Sequence, residues 1–207
     1  MKRKGFYLNY RKKRTILLIF TVILLIAVYL FKSSSFILRA GSTIAVMALF
    51  YAIDHFFDIR FGKRHYLFMF IIVIAGFLAS PLYYIYPNYD KIQHFIQPMF
   101  ICSLAFYLIK KLHLELKWKL VFTFLTVVAI LGFFEIGEFT LDSLFHLKLQ
   151  GVYLRDIGGL KKLNLVMNPL KDTMIDMLLG VMGAAIYCII FGVSMKQKLN
   201  ENIFREF

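Results

Sequence analysis

Charge is scarce in this chain. Of its 207 residues only 18% are charged, against roughly a quarter in an average soluble domain. Sixty per cent are hydrophobic, and the mean hydropathy is +0.70, which excludes a soluble monomer. Cysteine is nearly missing. Cys102 and Cys188 both lie in apolar runs, where a thiol reads as a small buried hydrophobe, so neither a disulfide framework nor a thiolate zinc site is on offer. There is no internal repeat and no polar low-complexity tract. An aromatic content of 17%, with 23 Phe, excludes disorder. The His-Glu-x-x-His of zinc proteases and the Glu-x-x-His of carboxylate-bridged di-iron bundles are also missing.

What is there is a series of long apolar runs. A membrane-crossing helix needs about 20 mostly apolar residues, with about 17 as the lower limit. Six stretches qualify: 15–31, 36–52, 66–86, 92–109, 119–140 and 173–193. They predict an all-α fold, a polytopic integral membrane bundle of about six transmembrane helices. A basic segment, 1–14, precedes the membrane domain of 15–193, and a tail, 194–207, follows it. Lys32-Ser33-Ser34-Ser35-Phe36 is a poor signal-cleavage site, so the first span is expected to be an uncleaved anchor. The stretch from Asp142 to Asp172 is punctuated by Gly151, Gly158-Gly159 and Asn168-Pro169, and reads as a loop with one short interfacial element.

The net charge of +13 becomes intelligible once it is placed on these spans. Lys and Arg favour the cytoplasmic side of short connections. Of 25 such residues, 17 fall on the side of the N-terminus and 8 on the other, which predicts cytoplasmic termini. The cluster Lys2-Arg3-Lys4 with Arg11-Lys12-Lys13-Arg14 therefore reads as a topology signal and a contact for anionic lipid at the cytoplasmic face, with no nucleic-acid partner.

The acids are few and concentrated. Asp90, His94 and Gln97 share one helical face at the start of the fourth span; Glu135, Glu138 and Asp142 share one near the end of the fifth; Asp172 and Asp176 share one at the start of the sixth. All belong to the extracytoplasmic ends of successive spans, within about two turns of the interface. Six carboxylates and an imidazole cannot all be charged side by side in a poorly solvated place without protons or a cation. Oxygen donors with one His suit Mg²⁺, Mn²⁺ or Zn²⁺. Asp90, His94, Glu135, Asp172 and Asp176 are candidate metal ligands, Glu138 a candidate catalytic base, and Gln97, Asp142 and Arg39 secondary candidates, Arg39 as a partner for the acids or for a phosphate. Singly, several have ordinary explanations: Asp172, Thr173 and Asp90 suit helix N-caps, and His94 suits an interior position. Glu135 and Glu138 do not, because acids toward a helix C-terminus oppose its dipole. Asp54-His55 and Asp58, at the other level, are expected to pair with Arg60, Lys63 or Arg64, and Lys91 and Lys171 to face water or headgroups.

Three motifs carry a resemblance. Asn88-Tyr89-Asp90-Lys91-Ile92-Gln93-His94-Phe95-Ile96-Gln97, then Phe134-Glu135-Ile136-Gly137-Glu138, then Lys171-Asp172-Thr173-Met174-Ile175-Asp176 are similar to the YjdF-like family of bacterial inner-membrane proteins. A looser likeness reaches the VanZ-like proteins, which have Gln where this chain has Glu138. The resemblance covers about residues 50–190 and implies a multi-pass protein of the bacterial cytoplasmic membrane, without naming an activity. It gives no support to Asp142. Function is expected to be metal-dependent action on a lipid or envelope molecule, with proton- or cation-coupled transport and a structural envelope role as alternatives.

Overall fold

A computed structural model describes residues 3–30, 36–56, 59, 61–155 and 163–205. Lys2, Lys32 to Ser35, Asp58, Arg60 and Gly158-Gly159, named above, lie outside them. Apart from its connections, the described chain is helical except for one hairpin. The helices are α1 (Arg3–Leu30), α2 (Phe36–Phe56), α3 (Lys63–Val73), α4 (Tyr89–Ile109), α5 (Leu116–Phe145) and α6 (Pro169–Arg205), with strands β1 (Val152–Arg155) and β2 (Leu163–Met167) between α5 and α6. Among the described residues, Ile37–Phe56, Tyr89–Ile109, Leu116–Phe145 and Pro169–Gln197 are long and apolar enough to cross a membrane, and Arg14–Leu30 is a shorter apolar helix. The all-α membrane bundle is therefore as expected.

Two local expectations need correction. The third apolar stretch is not one regular helix: α3 gives way to a π-helical turn, Ile74–Leu78, and then a 3₁₀ turn, Ser80–Tyr84. Pro81 lacks an N–H and disfavours α geometry in the residue before it, which favours an end to the α-helix upstream. The Ala79 N–H reaches back five residues to the Ile74 carbonyl, at 2.9 Å. The second correction is the 142–172 loop. It contains an antiparallel hairpin, Val152 opposite Met167 and Arg155 opposite Leu163, in which Val152, Tyr153 and Val166 are the residues that favour a strand. Gly151 enters it at φ +90, where a Cβ would stand 3.1 Å from the Met167 carbonyl oxygen.

The chain forms two compact units, Met1–Pro81 and Leu82–Phe207. In the first, Leu17, Leu24 and Val28 make one buried face of α1, and Met69 with Val73 make one on α3. Asp54 is buried and accepts from the Phe61 N–H at 3.1 Å and the Tyr66 hydroxyl at 3.3 Å. It closes the α2–α3 connection and does not pair with Lys63 or Arg64, because a buried carboxylate is satisfied by whichever donors the turn brings to it.

In the second unit α4, α5 and α6 pack around Cys102, Ala105, Val127, Leu131 and Ala184. Small residues allow the approach. A Cβ on Gly183 would run into the Phe95 carbonyl oxygen, and one on Gly180 into the Leu131 side chain. Gly183 meets α4 at Phe95, the residue after His94, near the end of that helix that carries the acids.

Candidate functional site

Asp90 lies in the first turn of α4 and Asp172 in the first turn of α6. Lys91 joins them. Its side chain is 13% exposed, and its ammonium donates to Asp90 Oδ2 at 3.1 Å, to Asp176 Oδ1 and Oδ2 at 2.8 and 2.7 Å, and to Asp172 Oδ1. The other oxygen of Asp172 accepts from the Gly151 N–H at 2.8 Å, at the foot of the hairpin. Gln150 donates its side-chain amide to Thr173 Oγ1 at 3.0 Å. The start of α6 is thus tied to α4 through an ion pair and to the hairpin through two hydrogen bonds.

His94, one turn after Asp90, bridges to α5. Its Nε2 is 3.5 Å from Asp90 Oδ1 and its Nδ1 is 3.7 Å from Glu135 Oε1. Both ring nitrogens face a carboxylate, and the Phe134 ring lies edge-on at 6.0 Å. Glu135 is 5% exposed, and its Oε1 is a buried oxygen without a hydrogen-bond partner. Such an atom costs about 1–3 kcal/mol unless something else satisfies it. One donor atom from each of Asp90, His94 and Asp176 lies within 4.8 Å of the others. Oxygen or nitrogen ligands about 2.0–2.4 Å from a shared divalent ion stand no farther apart than this.

The residues singled out from sequence separate into two groups. Asp90, His94, Glu135, Asp172 and Asp176 meet at one end of the three-helix unit. Glu138 lies in the electrostatic field of Glu135, Asp90, Asp176 and Asp172. Three secondary candidates are engaged otherwise. Gln97 donates to Gln93 one turn back on its own helix. Asp142 accepts from the Leu149 and Gln150 N–H groups, both at 2.8 Å, and secures the exit from α5. Arg39, in the first unit, donates from Nε to the Phe77 carbonyl at 2.8 Å and from Nη2 to that of Leu78 at 2.7 Å. These carbonyls belong to the π-helical turn, where the chain stops donating back in the α pattern.

Lys91 is the residue that sequence reasoning missed, since it does not face water or headgroups. Two signals pointed to it. A lysine in the first turn of a helix opposes the dipole, and six acids need a cation for which Lys91 is the one Lys or Arg among the named positions of the fourth span.

No curated protein and no solved structure matches the chain. Its residues 13–197 match the family described as "Predicted membrane protein (DUF2238)", and the protein belongs to that family.

Proposed function

We propose that this protein is a multi-pass protein of a bacterial cytoplasmic membrane, with both termini cytoplasmic, whose α4–α5–α6 cluster binds a divalent cation near the extracytoplasmic face and acts on the headgroup of an envelope lipid. The observation that carries the reading is the convergence of Asp90, His94 and Asp176 within 4.8 Å beside a Glu135 oxygen that, among the described residues, accepts no hydrogen bond. Mg²⁺, Mn²⁺ and Zn²⁺ fit that donor set. A bound cation would supply Lewis-acid polarisation of a phosphoryl or carbonyl oxygen. The chain's own residues do the rest. Glu135 and His94 complete the charge balance, Lys91 ties Asp172 to α4 and gives up Asp176 to the cation, and Glu138 is the carboxylate left over to accept a proton from water.

Depth supports a headgroup substrate. Lys110, Trp118 and Lys196 are residue types that anchor helices at an interface. Counting about 20 residues, one hydrocarbon thickness, along α4, α5 and α6 from these positions arrives at Asp90, Glu138 and Asp176. The three-motif likeness to YjdF-like proteins, and the looser one to VanZ-like proteins, supports an envelope setting.

A second reading, a non-catalytic charge lock between three helices, is favoured by the pairing of Lys91 with Asp172 and Asp176. Transport finds less support, because α4 from Pro98 to Ile109 carries no ionisable side chain other than Cys102 and Tyr107. Metal content decides. Wild type and the Asp90→Asn/His94→Gln variant are purified in detergent without chelator and assayed for bound metal. Stoichiometric metal in wild type that is lost in the variant is expected. Metal-free wild type that also takes up no Mg²⁺, Mn²⁺ or Zn²⁺ on titration would sink the cation reading.

A further inference from the structure

The hairpin between α5 and α6 carries a surface that the cation reading leaves unused. Leu165 and Val166 are neighbours in β2, so their side chains point to opposite faces of the strand. Both are exposed nonetheless, at 54% and 56%, and Leu170 at the start of α6 is 70% exposed. Among the described residues, neither face of the hairpin is covered at this point. Exposed basic side chains flank it: Lys148 before β1, Arg155 at its end and Lys171 beyond β2. From His146 to Lys171 the sequence holds one acid, Asp156, against Lys148, Arg155, Lys161, Lys162 and Lys171. The Lys148 ammonium lies 5.4 Å from the centre of the Tyr153 ring, an amphipathic pairing of the kind found at membrane interfaces.

Both ends of this segment run into membrane-length helices, Phe145 closing α5 and Pro169 opening α6. Its foot is fastened there by the bonds from Leu149 and Gln150 to Asp142 and from Gly151 to Asp172. A docking protein or a second copy of the chain would cover one face of a two-stranded ribbon. Immersion in the boundary between headgroups and acyl chains covers both faces and offers anions to the basic flanks.

We propose that Leu165, Val166 and Leu170 insert into the headgroup layer of the bilayer, with Lys148, Arg155 and Lys171 on anionic lipid phosphates. The inference rests on the membrane setting of α5 and α6 and stands without the cation site. Because Gly151 donates to Asp172, the lipid gathered by the hairpin is held beside the rim of the acidic cluster.

The test uses the full chain in vesicles of phosphatidylcholine, with or without phosphatidylglycerol. Trp118, the only tryptophan, is replaced by Phe, and Leu165→Trp or Val166→Trp is introduced singly, each variant first shown to melt like its parent. The expected result is that both tryptophans lose most of their emission to lipids brominated on the upper acyl chain and little to aqueous acrylamide. Lys148→Gln with Arg155→Gln then shifts the emission to the red in phosphatidylglycerol vesicles and leaves it unchanged in pure phosphatidylcholine. Quenching of both positions by acrylamide places the hairpin in water and overturns the proposal. Protection of either position from both quenchers overturns it too, in favour of a protein partner or a second copy.

Discussion

The Lys91 ammonium on α4 donates to both carboxylate oxygens of Asp176 on α6, at 2.8 and 2.7 Å. The pair links residues 85 positions apart and engages both oxygens that Asp176 could offer a cation. Lys91 is therefore at once the lock between two helices and the built-in competitor of any metal at Asp176.

Removing that ammonium leaves Asp172 and Asp176 buried without their counter-charge. Breaking a buried ion pair from one side costs about 3–5 kcal/mol, whereas neutralising both partners costs much less. Lys91→Met is expected to lower the melting temperature in detergent, and Lys91→Met/Asp172→Asn/Asp176→Asn to recover a large part of the loss. An unchanged melting temperature in the single variant would remove Lys91 from the account of stability.

Competition gives the opposite sign for cation binding. Ligation that favours the folded state raises stability, by about 2.7 kcal/mol at a hundred times Kd. Mn²⁺ or Zn²⁺ is expected to raise the wild-type melting temperature, with His94→Gln abolishing the response and Lys91→Met enhancing it relative to its own metal-free baseline. Loss of the response in Lys91→Met would show instead that the ammonium positions the ligands.

Glu135 separates structure from binding. Among the described residues its buried Oε1 accepts no hydrogen bond, the His94 ring standing off at 3.7 Å, and an amide does not carry the carboxylate's desolvation cost. Glu135→Gln is expected to melt at a higher temperature than wild type in the presence of chelator while showing a weaker response to Mn²⁺. A lower melting temperature under chelator would mean that the carboxylate already makes a stabilising contact without metal.

Gly180 and Gly183 of α6 are expected to differ. A methyl group on Gly180 meets the movable Leu131 side chain, whereas one on Gly183 meets the Phe95 backbone carbonyl. Overpacking that side chains cannot relieve costs about 1–3 kcal/mol or more. Gly183→Ala is expected to destabilise clearly more than Gly180→Ala in parallel thermal melts, and equal losses would contradict the packing described here.

Arg39 serves backbone carbonyls at the π-helical turn. A hydrogen bond to a charged group contributes about 1.5–3 kcal/mol, so Arg39→Met is expected to destabilise the protein and to speed amide exchange at Ala79 and nearby residues. Exchange left unchanged across 74–84 would show that the turn holds without the guanidinium.

Much of this was legible beforehand. The apolar runs located the helices, since burying about 20 residues in hydrocarbon leaves the backbone no alternative to bonding itself. Helical periodicity put Asp90 with His94, Glu135 with Glu138, and Asp172 with Asp176, and their common level brought five of these residues into one cluster. Asp142 misled because its face matched while its oxygens were needed by the Leu149 and Gln150 amides. Asp54 misled in the same way, being claimed by Phe61 and Tyr66.

The sequence by itself determined the class of protein, the positions of its helices apart from the broken third stretch, and the faces on which its acids lie, because these follow from local periodicity and from transfer into a membrane. Only the tertiary structure decided which charge meets which. A lysine or arginine side chain is long enough to satisfy several neighbours, and the choice depends on which helices approach. Gly180 and Gly183 let α6 approach α5 and α4, and that contact turned Lys91 from a surface residue into the centre of the cluster.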